Sequence, residues 1–168
     1  MLEYIKTSIT GQFEAALSML NECIQSCPPD RWENRIANME FGHVAYHTLC
    51  YVDLYLSPDN DSFQLREFHN EFNENWFKPK TNHPITQALV SDYLQACLQK
   101  MRETIAAENE ASLKQSAGFY WLSQLTRGEL HIYNLRHVQH HAGQLSAYLR
   151  RINVDTRWNS TGWSPTAP

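Results

Sequence analysis

The sequence predicts an all-α protein, a four-helix bundle with a long connection between its second and third helices. Three observations carry that expectation. Four long stretches repeat apolar residues at three- and four-residue steps, the signature of a helix with one buried face. No stretch reads as two strands joined by a tight turn. Residues 57–83, between the second and third stretches, lack helical periodicity and form a longer connection than neighbouring helices need. Packed helices with these features make a bundle, and the long connection suggests a crossover rather than a simple meander.

Each element has its own justification. The first helix covers about Glu3 to Gln25, with Ile5, Ile9, Phe13, Leu17 and Leu20 in register. Pro28 and Pro29 end it, because proline cannot continue a helix and biases its predecessor away from one. The second covers about Glu33 to Leu56, with Ile36, Met39, Cys50 and Leu54 on its stripe, and the turn-forming "SPDNDS" ends it. The third covers about Ile85 to Ala107 and opens after Pro84, a residue suited to a first helical turn. The fourth covers about Gly128 to Ile152, with a short helix before it near Tyr120 to Leu125. The connection is expected to hold a short helix around Gln64 to Phe72. Its aromatics (Phe63, Phe68, Phe72, Trp76 and Phe77) should pack on the body or serve function.

The whole chain, 1–168, reads as a single domain, with a bundle over about 2–153 and an irregular tail over 154–168. The tail's two tryptophans should tie part of it down or cover a partner surface. With 168 residues, 42% of them hydrophobic, the chain is long enough to bury a core. The net charge of −4 shows no basic surplus, so nucleic acid is not an expected partner. The N-terminal residues lack the basic start and continuous apolar run of a signal peptide. No stretch approaches a membrane span, so no membrane association is expected and the expected location is cytoplasmic. Cys23, Cys27, Cys50 and Cys97 include no CxxC pair, which argues against a zinc–thiolate cluster.

The chemistry concentrates in the histidines. In "RHVQHHAGQL" of the last helix, His137 and His141 share a face with Leu130, Asn134, Leu145 and Tyr148, at about 100° per residue. His140 points about 80–120° away by the same rotation. Two side chains one turn apart stand one above the other and can chelate one ion. The second helix adds another such pair, His43 and His47, on its own apolar stripe. Bundles build metal sites from inward side chains on facing helices. The competing reading is four core histidines bonded to carbonyls or water, which would leave many buried nitrogens to satisfy. His131, His69 and His83 read as surface or structural residues. Asp53 and Glu40 lie near the second helix's stripe; Glu40 is a candidate ligand or hydrogen-bond acceptor, or a solvated helix-edge residue. No Ser-His-Asp or Cys-His nucleophile pattern stands out. Cys50 lies close to His47 but reads as a small buried hydrophobe.

The motif "RHVQHHAGQL", with the upstream helix "FGHVAYHTLCYVDLYL", resembles the DinB-like (damage-inducible B) superfamily. That superfamily includes YfiT-type metal-dependent hydrolases and thiol-dependent S-transferases. The resemblance covers about Leu2 to Asn153. It implies a DinB/YfiT-like four-helix bundle in an up-down-down-up arrangement. It also implies a divalent metal ion, nickel or zinc, held by one histidine of helix two and an HxxxH pair of the last long helix. Carried over by position, the metal ligands are His47, His137 and His141, with His43 as the competitor one turn before His47.

The resemblance implies either a metal-dependent hydrolase or a low-molecular-weight-thiol S-transferase, with a small-molecule substrate that includes a thiol in the second case. Three imidazoles leave a divalent ion with open positions, the arrangement of catalytic rather than structural sites. The alternative is a non-catalytic, stress-related binding or dimerising bundle, which predicts a closed site. A homodimer is expected under either reading, since two-fold dimers are the commonest oligomers.

Overall fold

The computed structural model describes residues 1–36, 38–70, 77–78, 80 and 82–164. The protein is mostly helical: α1 (Leu2–Ser26), α2 (Phe41–Tyr55), α3 (Gln87–Ala107), the short α4 (Glu110–Lys114) and α5 (Arg127–Arg151). A two-stranded antiparallel hairpin, β1 (Arg35–Ile36) and β2 (Met39–Glu40), precedes α2. The bounds follow from local chemistry. The Thr86 hydroxyl accepts the Leu89 N–H, so α3 opens two residues later than the sequence suggested. Thr126 and Glu129 form a reciprocal capping box that starts α5, and Asn109 with Ser112 does the same for α4.

α1 packs against α3 and α5, and α2 packs against the same two helices, whereas α1 and α2 barely meet. The sequential pair α1 and α2 therefore occupies opposite corners of the packed group, the arrangement a long connection before α3 permits. Phe13, Leu17, Leu20, Leu49, Leu94, Met101, Val138 and Leu145 fill the space between them. At the end of α2, the Arg127 guanidinium donates to the carbonyls of Tyr55, Leu56 and Ser57 and to Glu108. It satisfies helix-end acceptors that have no intrahelical donor and pins the start of α5 to the end of α2.

Several sequence expectations need correction. The second helix begins at Phe41, not near Glu33. Ile36 and Met39 are three apart, which fits a helical stripe, but they face each other across the hairpin and both pack on the core. The Phe41 and Gly42 N–H groups donate to the carbonyls of Asn34 and Trp32, which folds the chain back. Gly42 is required there, because a Cβ would overlap the Trp32 indole. Residues 64–70 hold no helix, only a turn at 67–68, and Phe72 and Trp76 lie outside the described residues. Of the connection's other aromatics, Phe63, Phe68 and Phe77 do pack on the core. The short helix before α5 is a 3₁₀ turn, Tyr120–Leu122.

The tail runs back along α1. The Gly162 N–H donates to the Gly11 carbonyl at 2.8 Å, and the Ser18 hydroxyl donates to the Ser164 carbonyl at 2.6 Å. Trp163 packs on the core, while Trp158 is 76% exposed. No helix among the described residues is long and apolar enough to cross a membrane.

Candidate metal centre

The site forms where α2 and α5 face each other. His47 stands near the middle of α2, and its ring centroid lies 5.7 Å from that of His137 and 5.2 Å from that of His141. One candidate ligand atom from each of these three residues lies within 4.8 Å of the other two. Further along, Tyr55 of α2 meets Tyr133 of α5, with centroids 5.7 Å apart. Advancing along α2 thus means retreating along α5, so the helices run antiparallel across the site. Each presents a row at four-residue steps: His47, Tyr51 and Tyr55 on one side, Tyr133, His137 and His141 on the other. Residues four apart share a helix face, so these rows follow from α-helical geometry.

Within the cluster, His137 Nε2 and His141 Nε2 approach to 3.1 Å. Two nitrogens bound at about 2.1 Å to one ion stand roughly 3.0–3.4 Å apart at tetrahedral or octahedral angles. The other nitrogen of His141, Nδ1, lies 2.8 Å from Gln144 Oε1. A carbonyl oxygen only accepts, so Nδ1 carries the proton and Nε2 presents a lone pair to the cluster. His47 Nδ1 and His137 Nδ1 are buried with no hydrogen-bond partner among the described residues. Burial pushes the His47 imidazole down to about 4, with the neighbouring His141 and His43 adding to the shift. Burial likewise pushes His137 down to about 3, assisted by His141 and His47. Neutral imidazole is the form that binds metal. The paired Nε2 atoms and the neutral donor set fit a divalent cation.

A cavity of about 460 Å³ opens beside the cluster, lined by His47, Tyr51, Tyr55, Trp121, Tyr133 and His137. Phe77, from the long connection, packs edge-on to the His47 ring at 5.6 Å. Two of the three clustered histidines therefore border open space.

The other sequence candidates lie elsewhere. His43 sits one turn before His47, outside the cluster, and lines a separate cavity with Trp32 and Ile85. Glu40 is exposed at the start of α2 and borders that same cavity. Asp53 is buried, with Arg66 and Lys100 on its carboxylate oxygens at 2.8 and 2.7 Å and the Tyr93 hydroxyl donating to it. Burial opposes its ionisation, but those donors outweigh it and hold the carboxyl below its usual range. His140 is exposed, as its angle predicts. Of the two expectations for His131, surface or structural, the second holds: it is fully buried, and its Nε2 donates to Glu108 at 2.8 Å.

Cys50 lies 3.6 Å from His69 Nε2, a contact that the sequence did not suggest. It is not an activated pair. The Arg66 backbone N–H donates to His69 Nδ1, so a neutral His69 carries its proton on Nε2, facing the sulfur, and cannot take the thiol's proton. Burial also pushes the Cys50 thiol far up. Sequence reasoning missed Tyr51, Tyr55 and Tyr133, although each continues a histidine row at a four-residue step. Trp121 sits in the short 3₁₀ turn before α5, which carries no histidine row to continue, and gave no such signal. No family model, curated protein or solved structure matches this chain.

Proposed function

We propose that this chain is a DinB-like, divalent-metal-dependent protein in which His47, His137 and His141 hold the ion. On this reading it acts on a small molecule bound in the adjoining aromatic cavity, by hydrolysis or by transfer of a low-molecular-weight thiol. The observation that carries the reading is the meeting of three neutral imidazoles, contributed by two helices, at the edge of open space. A closed structural site would have four protein ligands and no adjoining cavity. A bound divalent ion supplies Lewis acidity, which brings a water or thiol toward its deprotonated, nucleophilic form near neutral pH.

The chain's own residues set the stage for that chemistry. Gln144 holds the His141 tautomer with Nε2 inward. Phe77 and Tyr51 pack on the His47 ring and fix its orientation. Tyr51, Tyr55, Trp121 and Tyr133 wall the substrate space and limit its water content. Zinc or nickel suits an all-imidazole donor set.

The test is elemental analysis of protein purified without a histidine tag, alongside His47→Ala and His141→Ala variants. The expected result is about one zinc or nickel ion per chain in the parent and a large loss in both variants. A parent that holds no divalent ion after incubation and dialysis would overturn the proposal and favour the non-catalytic bundle.

A further inference from the structure

The aromatic cavity has a composition of its own. Its described lining comprises two histidines, three tyrosines and one tryptophan, with no Asp, Glu, Lys or Arg among the described residues. Its volume of about 460 Å³ lies within the range of small-molecule sites. The rings form a continuous wall away from the histidines. Tyr51 sits 4.9 Å from His47 and 5.5 Å from His137, Tyr55 follows at 5.6 Å, and Tyr133 lies 5.7 Å beyond it. The Trp121 indole N–H donates to the Tyr55 hydroxyl at 3.3 Å, which holds a partly exposed ring at the edge of this wall.

We infer that the cavity takes an uncharged aromatic group, presented so that the reacting end of the molecule reaches His47 and His137. This deepens the metal-centre proposal and rests on it for the fate of the reacting end. The charge of the body is decided by what lines the space. An anionic body would find no guanidinium or ammonium among the described lining residues, only neutral hydroxyls and ring faces that carry negative quadrupole. A cationic body would find favourable ring faces. It would also stand beside a divalent ion that three neutral imidazoles leave uncompensated, with no carboxylate among the described lining residues to offset the repulsion. A neutral ring pays neither cost. It gains offset or edge-on contact with Tyr51, Tyr55 and Trp121, and the tyrosine hydroxyls can bond a neutral polar substituent.

The test uses a probe series of constant shape: 4-ethylphenol, 4-hydroxybenzenesulfonate and 4-hydroxyphenyl-trimethylammonium, with cyclohexanol as the non-aromatic control. Binding is followed by ligand-observed NMR, first on the metal-free chain and then after zinc loading. The expected result in the metal-free chain is at least about tenfold tighter binding of 4-ethylphenol than of the sulfonate or cyclohexanol. That preference should fall by a similar factor in Tyr55→Leu and in Trp121→Leu. Helical circular dichroism confirms that each variant folds, and Trp121→Leu, at a partly exposed position, is the safer of the two. After zinc loading, the trimethylammonium probe should bind more weakly than 4-ethylphenol.

Preference for the sulfonate, or binding of 4-ethylphenol unchanged in both folded variants, would overturn the inference. So would preference for the trimethylammonium probe in the zinc-loaded chain. The metal reading fails separately: a chain that takes up no zinc yet prefers 4-ethylphenol over all three other probes, the trimethylammonium included, keeps this cavity assignment and loses the centre beside it.

Discussion

His137 Nε2 and His141 Nε2 lie 3.1 Å apart, and the far nitrogen of His141 is held by Gln144 at 2.8 Å. Without that acceptor His141 could turn or change tautomer and present an N–H to the cluster. Ligand-orienting partners of this kind are worth roughly 10–100-fold in metal affinity. Gln144→Leu is therefore expected to weaken zinc binding by about that factor. Gln144→Glu, which keeps an acceptor oxygen at the same reach, should bind within a few-fold of the parent. Competition against a chromophoric chelator measures both. Equal affinities for Leu and Glu would show that Gln144 has no orienting role.

Metal and fold should be thermodynamically linked. An ion that binds only the folded chain stabilises it by about 2.7 kcal/mol at 100 times its dissociation constant. For a chain of this length that is a rise of about 5–10 °C in the thermal midpoint. The rise should appear on adding zinc to the chelator-stripped parent and vanish in His47→Ala. The same rise in parent and variant would place the ion elsewhere.

How much of this was legible in the sequence depends on the range of the interactions. The pairing of His137 with His141 is local, set by one helical turn, and was visible. From the residues alone His43 and His47 both sat on the apolar stripe, and only the resemblance preferred His47. In the structure His43 turns to the space beside Trp32 and Ile85. His131 read as surface or structural because its partner, Glu108, lies in another segment and cannot be found by periodicity. The hairpin was illegible because Ile36 and Met39 satisfy a helical step and a cross-strand pair equally well. Trp121 reaches the site through tertiary packing alone.

Acid should weaken the metal-free chain well above the carboxylate range. The folded protein holds His47 at about 4, His137 at about 3 and His69 at about 4, chiefly through burial, against an ordinary value of 6.5. The unfolded chain binds more protons between those limits, so stability is full above pH 6.5 and is lost as pH falls toward 4. Asp53, with its depressed carboxyl, adds a separate loss only below its unfolded value of about 3.9. Urea midpoints measured with chelator at several pH values between about 8 and 4 should fall across the histidine window. His137→Phe should flatten part of that fall. Midpoints that stay level down to about pH 4.5 would mean the imidazoles are not held neutral by the fold.

Glu108 should matter far more for stability than surface acids do. Its carboxylate accepts from the Ser112 hydroxyl, from Arg127 Nε at 3.1 Å and from His131 Nε2 at 2.8 Å. The Arg127 and Glu108 side chains are only 9% and 7% exposed. Removing one member of a buried pair leaves the other charge uncompensated, at a cost of about 3–5 kcal/mol. Glu108→Gln is expected to cost near the lower end, since an amide oxygen can still accept one bond. The tail's ion pair offers the contrast. Arg157 is 64% exposed where it meets Glu22, so Arg157→Ala should cost no more than about 1 kcal/mol. Because Arg127 also caps the last carbonyls of α2, Glu108→Gln should loosen that helix end, whereas zinc stoichiometry at His47, two turns earlier, should survive. Urea denaturation at pH 7 compares the two variants, and equal losses would show that the Glu108 network is as dispensable as a surface pair.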